Sequence, residues 1–151
     1  MSVARVLVVE DEDAIRALIV AALRREPFEV DAANDGVTAL QLTAVHEYAL
    51  IVLDLMMPRL NGFEFLDAFR AASPEARSTV IVLTAFDDTM LGKLAAGSVD
   101  AIIRKPFDVP QLVSMVREVA MVWAGNATDE QATEAIAPPL DADALPDEAP
   151  N

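Results

Sequence analysis

Five short runs rich in Val, Ile and Leu recur along the first 104 residues, and the stretches between them carry apolar residues at helical spacing. The runs are Arg5–Val9, Glu29–Ala33, Leu50–Asp54, Thr79–Thr84 and Ala101–Arg104. The intervening and closing stretches predict helices over Glu12–Arg25, Val37–His46, Gly62–Ala72, Thr89–Ala96 and Val109–Ala124. In the first of these, Ile15, Leu18, Ile19, Ala22 and Leu23 form one apolar stripe; in the last, Leu112, Val113, Val116, Val119, Ala120 and Trp123 do the same. Five βα units in strict alternation imply an α/β fold, a parallel sheet with helices on both faces, because right-handed crossovers need the helices. The first, third and fourth runs are almost continuously apolar, as central strands covered on both sides must be. The second, EVDAA, is mixed and suits an edge.

Composition sets the limits around this core. The chain has 151 residues and 54% apolar content, enough for one packed domain. It has no cysteine, which excludes disulfide and thiolate-metal chemistry and fits a reducing compartment. The four-residue apolar run Val6–Val9 is too short for a signal peptide, and nothing approaches a bilayer-spanning length, so a cytoplasmic protein without a membrane partner is expected. A formal charge of −14 argues against nucleic acid as a direct partner. Half of that excess lies in residues 125–151, which hold seven acids, no bases and four of the nine prolines. This composition predicts a domain over 1–124 followed by an acidic, Pro/Ala-rich and disordered tail that forms no output domain.

In open sheets of this kind the functional crevice lies beyond the carboxyl ends of the strands, where strand order reverses. The residues at those ends are Glu10 and Asp11, Asp54, Thr84 and Lys105. Three carboxylates at one edge repel, by about 4 kcal/mol for a pair about 4 Å apart at an effective dielectric of about 20. A cation is therefore expected among them, and hard oxygen ligands in a partly open site suit Mg²⁺. Thr84 and Lys105 bring a hydroxyl and an ammonium, the groups that hold phosphoryl oxygens. Asp54 is then placed to act as a carboxylate nucleophile towards phosphorus. Each residue taken alone has a plainer reading: Asp54 as a turn former, Glu10 and Asp11 as helix-dipole partners, Thr84 as a β former and Lys105 as a surface lysine. Glu12 and Asp13 fit the helix-dipole reading best. His46, at a helix end beside Glu47, does not suit a phosphotransfer role. Met56 and Met57 read as packing groups.

The segments VLVVEDE, IVLDLMMPRLNG, VIVLTA and RKPF, in that order and spacing, resemble the receiver domain of bacterial two-component response regulators over about residues 3–124. The resemblance implies a flavodoxin-like (βα)5 doubly wound sheet of order 2-1-3-4-5. It also implies phosphorylation of Asp54, with Asp11 and Asp54 as direct Mg²⁺ ligands, Glu10 as a ligand through water and Met56 through its backbone carbonyl. Thr84 becomes the switch hydroxyl, and Lys105, before a cis proline bond at Pro106, pairs with the phosphoryl group. Such a domain catalyses its own phosphoryl transfer and dephosphorylation and is no conventional enzyme. The implied partners are a sensor histidine kinase or histidine phosphotransfer protein and a downstream protein target, with signalling by a changed protein-binding surface.

Two departures stand out. Ile102 occupies a position where many receivers carry Tyr or Phe. The interval from Thr84 to Lys105 is about one residue short, with Gly97-Ser98 before the fifth strand, which implies an altered fourth helix or following loop. Ile102 favours an alternative, a phosphorylation-independent pseudo-receiver or interaction module. A metal-dependent phosphatase fits less well, because Met56 stands where its second acid would be.

Overall fold

The computed structural model describes residues 3–85 and 99–136, from 124 onward as backbone alone. The strands are β1 (Arg5–Val9), β2 (Glu29–Ala33), β3 (Leu50–Asp54), β4 (Thr79–Thr84) and β5 (Ala101–Arg104), at the residues expected from the apolar runs. The helices among the described residues are α1 (Asp13–Leu23), α2 (Gly36–Val45), α3 (Gly62–Ala72) and α4 (Val109–Ile136). The expected helix Thr89–Ala96 and the Gly97-Ser98 pair lie outside the described residues. All strand pairs are parallel, in the order β2-β1-β3-β4-β5. This is the flavodoxin-like doubly wound sheet, with mixed β2 at one edge.

Strand alternation divides the core into two layers. Val6, Val8, Leu50, Val52, Ile81 and Leu83 face one way and pack with Ile19 and Leu23 of α1 and Leu112 and Val116 of α4. Leu7, Val9, Ile51, Leu53, Val80 and Val82 face the other and pack with Ala39 of α2 and Phe65, Leu66 and Phe69 of α3. Every residue of β3 is buried, as a strand covered on both faces requires. Trp123 joins the small cluster of Ala4, Ala49 and Ala120 at the far end.

Several details differ from the sequence reading: helix α1 runs Asp13–Leu23 rather than Glu12–Arg25, with Glu12 and Arg24 as its caps. Leu18 is 53% exposed and lies off the α1 stripe, which consists of Ile15, Ile19, Ala22 and Leu23. Helix α2 begins one residue earlier than expected because the Asp35 side chain accepts a hydrogen bond from the Thr38 N–H and caps it. Helix α4 continues to Ile136, where the sequence predicts a disordered segment from residue 125.

At the opposite end of the sheet from the strand carboxyl termini, the buried Tyr48 hydroxyl donates to Asp31 Oδ2 at 2.7 Å, and Arg5 Nη1 donates to the same oxygen at 3.0 Å. Burial pushes the Asp31 carboxyl up, but these two hydrogen bonds and the Arg5 charge outweigh it and hold the group below its usual range. Its contribution to stability is complete above the ordinary carboxylate range and is lost as pH falls through the depressed value. Because Asp31 is partly exposed, Tyr48→Phe is expected to cost only about 1 kcal/mol at neutral pH, measured by urea unfolding. That cost should vanish in strong acid.

The chain turns sharply after β3. The Gly62 N–H donates to the Leu55 carbonyl at 3.0 Å, and a Cβ at Gly62 would lie 2.6 Å from Leu55 Cα and 2.8 Å from the Asp54 carbonyl oxygen. Both neighbours are backbone and cannot yield without moving β3. Gly62→Ala should therefore destabilise the domain by about 1–3 kcal/mol, despite alanine's better helix propensity, in the same unfolding assay.

Candidate functional site

Only three residues separate the end of β1 from the start of α1, so the two residues directly after the strand are held at the sheet's edge. The Glu10 N–H extends the β1–β2 ladder to the Ala33 carbonyl at 3.1 Å, and only 1% of Glu10 is exposed. Its Oε2 accepts from the Glu12 N–H at 3.2 Å, and its carbonyl accepts from Arg16 Nη1 at 3.0 Å. Glu10 is thus tied to the start of α1 by both backbone and side chain. Asp54 ends β3, paired in register with Leu83, and is 3% exposed. Its Oδ1 accepts from the Met56 N–H at 3.0 Å.

Lys105 follows β5, where its N–H donates to the Thr84 carbonyl at 2.9 Å and its bond to Pro106 is cis. Its Nζ lies 2.9 Å from Glu10 Oε1 and 3.4 Å from Asp54 Oδ2, with the more exposed Glu12 at 3.9 Å. Asp11 is half-buried, and Glu10, Asp11 and Asp54 each offer a carboxylate oxygen within 4.8 Å of the others. When all three are ionised, one ammonium faces three carboxylates and two negative charges stay uncompensated.

The electrostatics reflect that deficit. Burial first, and then the neighbouring Glu10 carboxyl, push Asp54 up to about 7. Burial also opposes the charge on Lys105, but the hydrogen bond to Glu10 and the charge of Asp54 outweigh it and the group is raised. A buried carboxyl held so far above its usual range is short of positive charge. Three hard oxygen donors with a residual charge of two suit a divalent cation, so Glu10, Asp11 and Asp54 fit a Mg²⁺ site.

The structure brings Glu10, Asp11, Asp54 and Lys105 into one cluster. Thr84 ends β4 beside them, fully buried and tied to Lys105 through its carbonyl. Met57 packs in the core as expected, but the Met56 side chain is 53% exposed and is no packing group. The role of Met56 in this geometry is its amide, which orients Asp54. Ile102 is 42% exposed on β5. His46 stands edge-on to the Tyr48 ring.

Three supporting residues escape sequence reasoning. Arg16 holds the Glu10 carbonyl, Asp35 caps α2, and Arg59 forms an ion pair with Asp35. The Asp-Gly pair before a helical pattern signals the cap; nothing in the order of residues signals that Arg59 reaches it.

Residues 6–117 match the family model for the response regulator receiver domain. The chain is 36% identical over 115 residues to the regulatory protein AtoC of Escherichia coli, covering 75% of this chain and 24% of that protein. It is 34% identical over 117 residues to the response regulator ArlR of Staphylococcus aureus, covering 76% and 52%. The chain therefore spans about a quarter to a half of these curated relatives. The crystal structure of the response regulator TrrA of Thermotoga maritima, in complex with Mg²⁺ and BeF, superimposes with a TM-score of 0.66 at 31% identity, covering 77% of this chain and 98% of that one. With a family model matched over residues 6–117 of the 151, the chain belongs to the response regulator receiver domain family of two-component signalling.

Proposed function

We propose that Asp54 accepts a phosphoryl group from the phosphohistidine of a sensor histidine kinase or a histidine phosphotransfer protein. The observation that carries this reading is the convergence of one ammonium and two further carboxylates, Glu10 and Asp11, around a buried Asp54 whose two oxygens are separately oriented. The Met56 amide on Oδ1 and Lys105 near Oδ2 fix the plane of the carboxylate, so the attacking group needs little further ordering. An Asp54 oxygen forms the new O–P bond as the P–N bond breaks, and that electron pair leaves with the imidazole nitrogen.

In this reading Glu10, Asp11, Asp54 and the Met56 carbonyl would hold Mg²⁺, which would supply positive charge to the phosphoryl oxygens. Lys105 moves from Glu10 towards the phosphoryl group, and Thr84 supplies a hydroxyl to another of its oxygens. The new charge favours one arrangement of the loops at the sheet's edge and so changes the surface offered to a downstream protein. Among the described residues no helix is long and apolar enough to cross a membrane. In this reading the reaction takes place in the cytoplasm.

The exposed Ile102, in place of an aromatic residue, favours a second reading, an interaction module that binds its partner without phosphorylation. Equal partner affinity with and without beryllofluoride would select that module; a changed affinity selects the switch.

Incubation with acetyl phosphate and Mg²⁺ followed by intact-mass measurement tests the main reading. The wild type should gain one phosphoryl group and Asp54→Asn none; no gain in the wild type, or equal gain in both, contradicts it. The Mg²⁺ assignment is checked separately by thermal unfolding. Millimolar Mg²⁺ should raise the wild-type midpoint, and Asp11→Asn should remove that rise while keeping the fold.

A further inference from the structure

The loop from Leu55 to Asn61 carries the Met56 amide that orients Asp54, and it is fastened at both ends. One fastening is the Gly62 N–H to the Leu55 carbonyl. The other lies across the domain surface, where the loop meets the start of α2. There Arg59 Nη2 donates to Asp35 Oδ2, while Asp35 Oδ1 accepts from the Thr38 N–H at 2.8 Å. Asp35 is buried, with a side chain 8% exposed, whereas that of Arg59 is 65% exposed.

The backbone follows the same contact. Arg59 has φ 66°, in the left-handed region that L residues other than Asn and Asp seldom adopt. The next residue, Leu60, presses against Gly36, where a Cβ would lie 2.6 Å from the Leu60 carbonyl oxygen. Two adjacent residues of the loop, Arg59 and Leu60, thus meet two adjacent residues of the α2 start, Asp35 and Gly36. The hydrogen bond from the Thr38 N–H, helped by Arg59, outweighs the opposing effect of burial and holds the Asp35 carboxyl below its usual range, so Asp35 is ionised at neutral pH. Little packing explains an arginine that is mostly in solvent yet holds a disfavoured backbone angle; its guanidinium is anchored to a buried, fixed carboxylate.

We propose that Asp35 and Arg59 are positioning residues for the phosphoacceptor: the pair clamps the loop 55–61 onto the start of α2, keeping the Met56 amide on Asp54 Oδ1 and the carboxylate in one orientation. The inference rests on the role of Asp54 proposed above. Neither residue touches the reacting atoms. Their effect passes through the Met56 backbone, which is three residues from Arg59 and directly bonded to Asp54. Misplacement of a reacting group by about an ångström costs up to 10²-fold in rate, so a partial loosening of this loop should be visible in kinetics before it is visible in stability.

The test measures two things in Arg59→Gln: amide hydrogen exchange at Met56, and the rate of phosphoryl gain from acetyl phosphate with Mg²⁺. Faster exchange at Met56 with unchanged exchange in β1 and β3, together with labelling slowed about tenfold, is expected. Arg59→Lys should restore both largely. Arg59→Gly, which accepts the backbone angle but lacks the guanidinium, should behave like Arg59→Gln; wild-type behaviour in the glycine variant would place the cause in the backbone and overturn the proposal. Asp35→Asn, which keeps the cap on Thr38, should slow labelling similarly, and its effect should not add to that of Arg59→Gln. Unchanged exchange and labelling in Arg59→Gln, or a uniform rise in exchange across the core, would also overturn it. If the wild type takes up no phosphoryl group, the proposed function fails, and Met56 exchange alone decides whether the pair positions the loop.

Discussion

Glu10 and Asp54 leave neighbouring parallel strands at the same edge of the sheet, both almost fully buried, and share one ammonium from Lys105. Stranding a buried charge is far more costly than the pair is favourable, so the shared ammonium is what this edge of the sheet depends on. Lys105 reaches them from β5, two strands away from β3 in the sheet, so all the intervening strand register must be in place before the charges meet. The cluster is therefore a product of the whole fold rather than of any local segment. One positive charge is still too few for three carboxylates, and burial, followed by the neighbouring Glu10, holds the Asp54 carboxyl above its usual range. A site that is short of positive charge and built from hard oxygens suits a divalent ion, and a lysine already in reach is available when a phosphoryl group adds further negative charge.

The supporting structure around that cluster is arranged in two tiers. The strands deliver the acids by alternation and register, and backbone amides then orient them: Glu12 for Glu10, Met56 for Asp54. The Met56 amide belongs to a loop whose shape depends on close approaches that only glycine permits, at Gly62 against Leu55 and at Gly36 against Leu60. Helix α1 holds the first loop through Arg16, and the start of α2 holds the third through Asp35 and Arg59. The helices therefore do more than cover the sheet; their starts also contact the loops that carry the acids.

Much of this is legible in the residues because buried parallel strands write an unusually plain signal. The runs RVLVV, LIVLD and TVIVLT have no polar interior position, and the structure begins and ends those strands where the runs do. The acids and the lysine are legible for the same reason, standing at the ends of such runs. Other features depend on geometry that no run or period encodes. Leu18 fits the helical spacing of α1 but falls just outside its buried arc, and Met56 looks apolar in sequence while the sharp turn after Asp54 turns its side chain to solvent. The length of α4 was obscured by averaging: every proline of the final segment lies at or after Pro138, whereas residues 125–136 are rich in alanine and lack proline, so composition taken over 125–151 hides the helical part. The Arg59–Asp35 pair joins loops 24 residues apart with no pattern linking them.

The central claim is that Lys105 is a counter-ion that changes partner, resting on Glu10 before phosphorylation and on the phosphoryl group after it. A crystal structure of the protein with Mg²⁺ and beryllofluoride tests this most directly. The account predicts beryllofluoride on an Asp54 oxygen, Mg²⁺ among Glu10, Asp11 and Asp54, and Lys105 Nζ withdrawn from Glu10 Oε1 onto a fluoride. Beryllofluoride bound at Asp54 with the Lys105–Glu10 contact intact, or no adduct at Asp54 under saturating conditions, would contradict it.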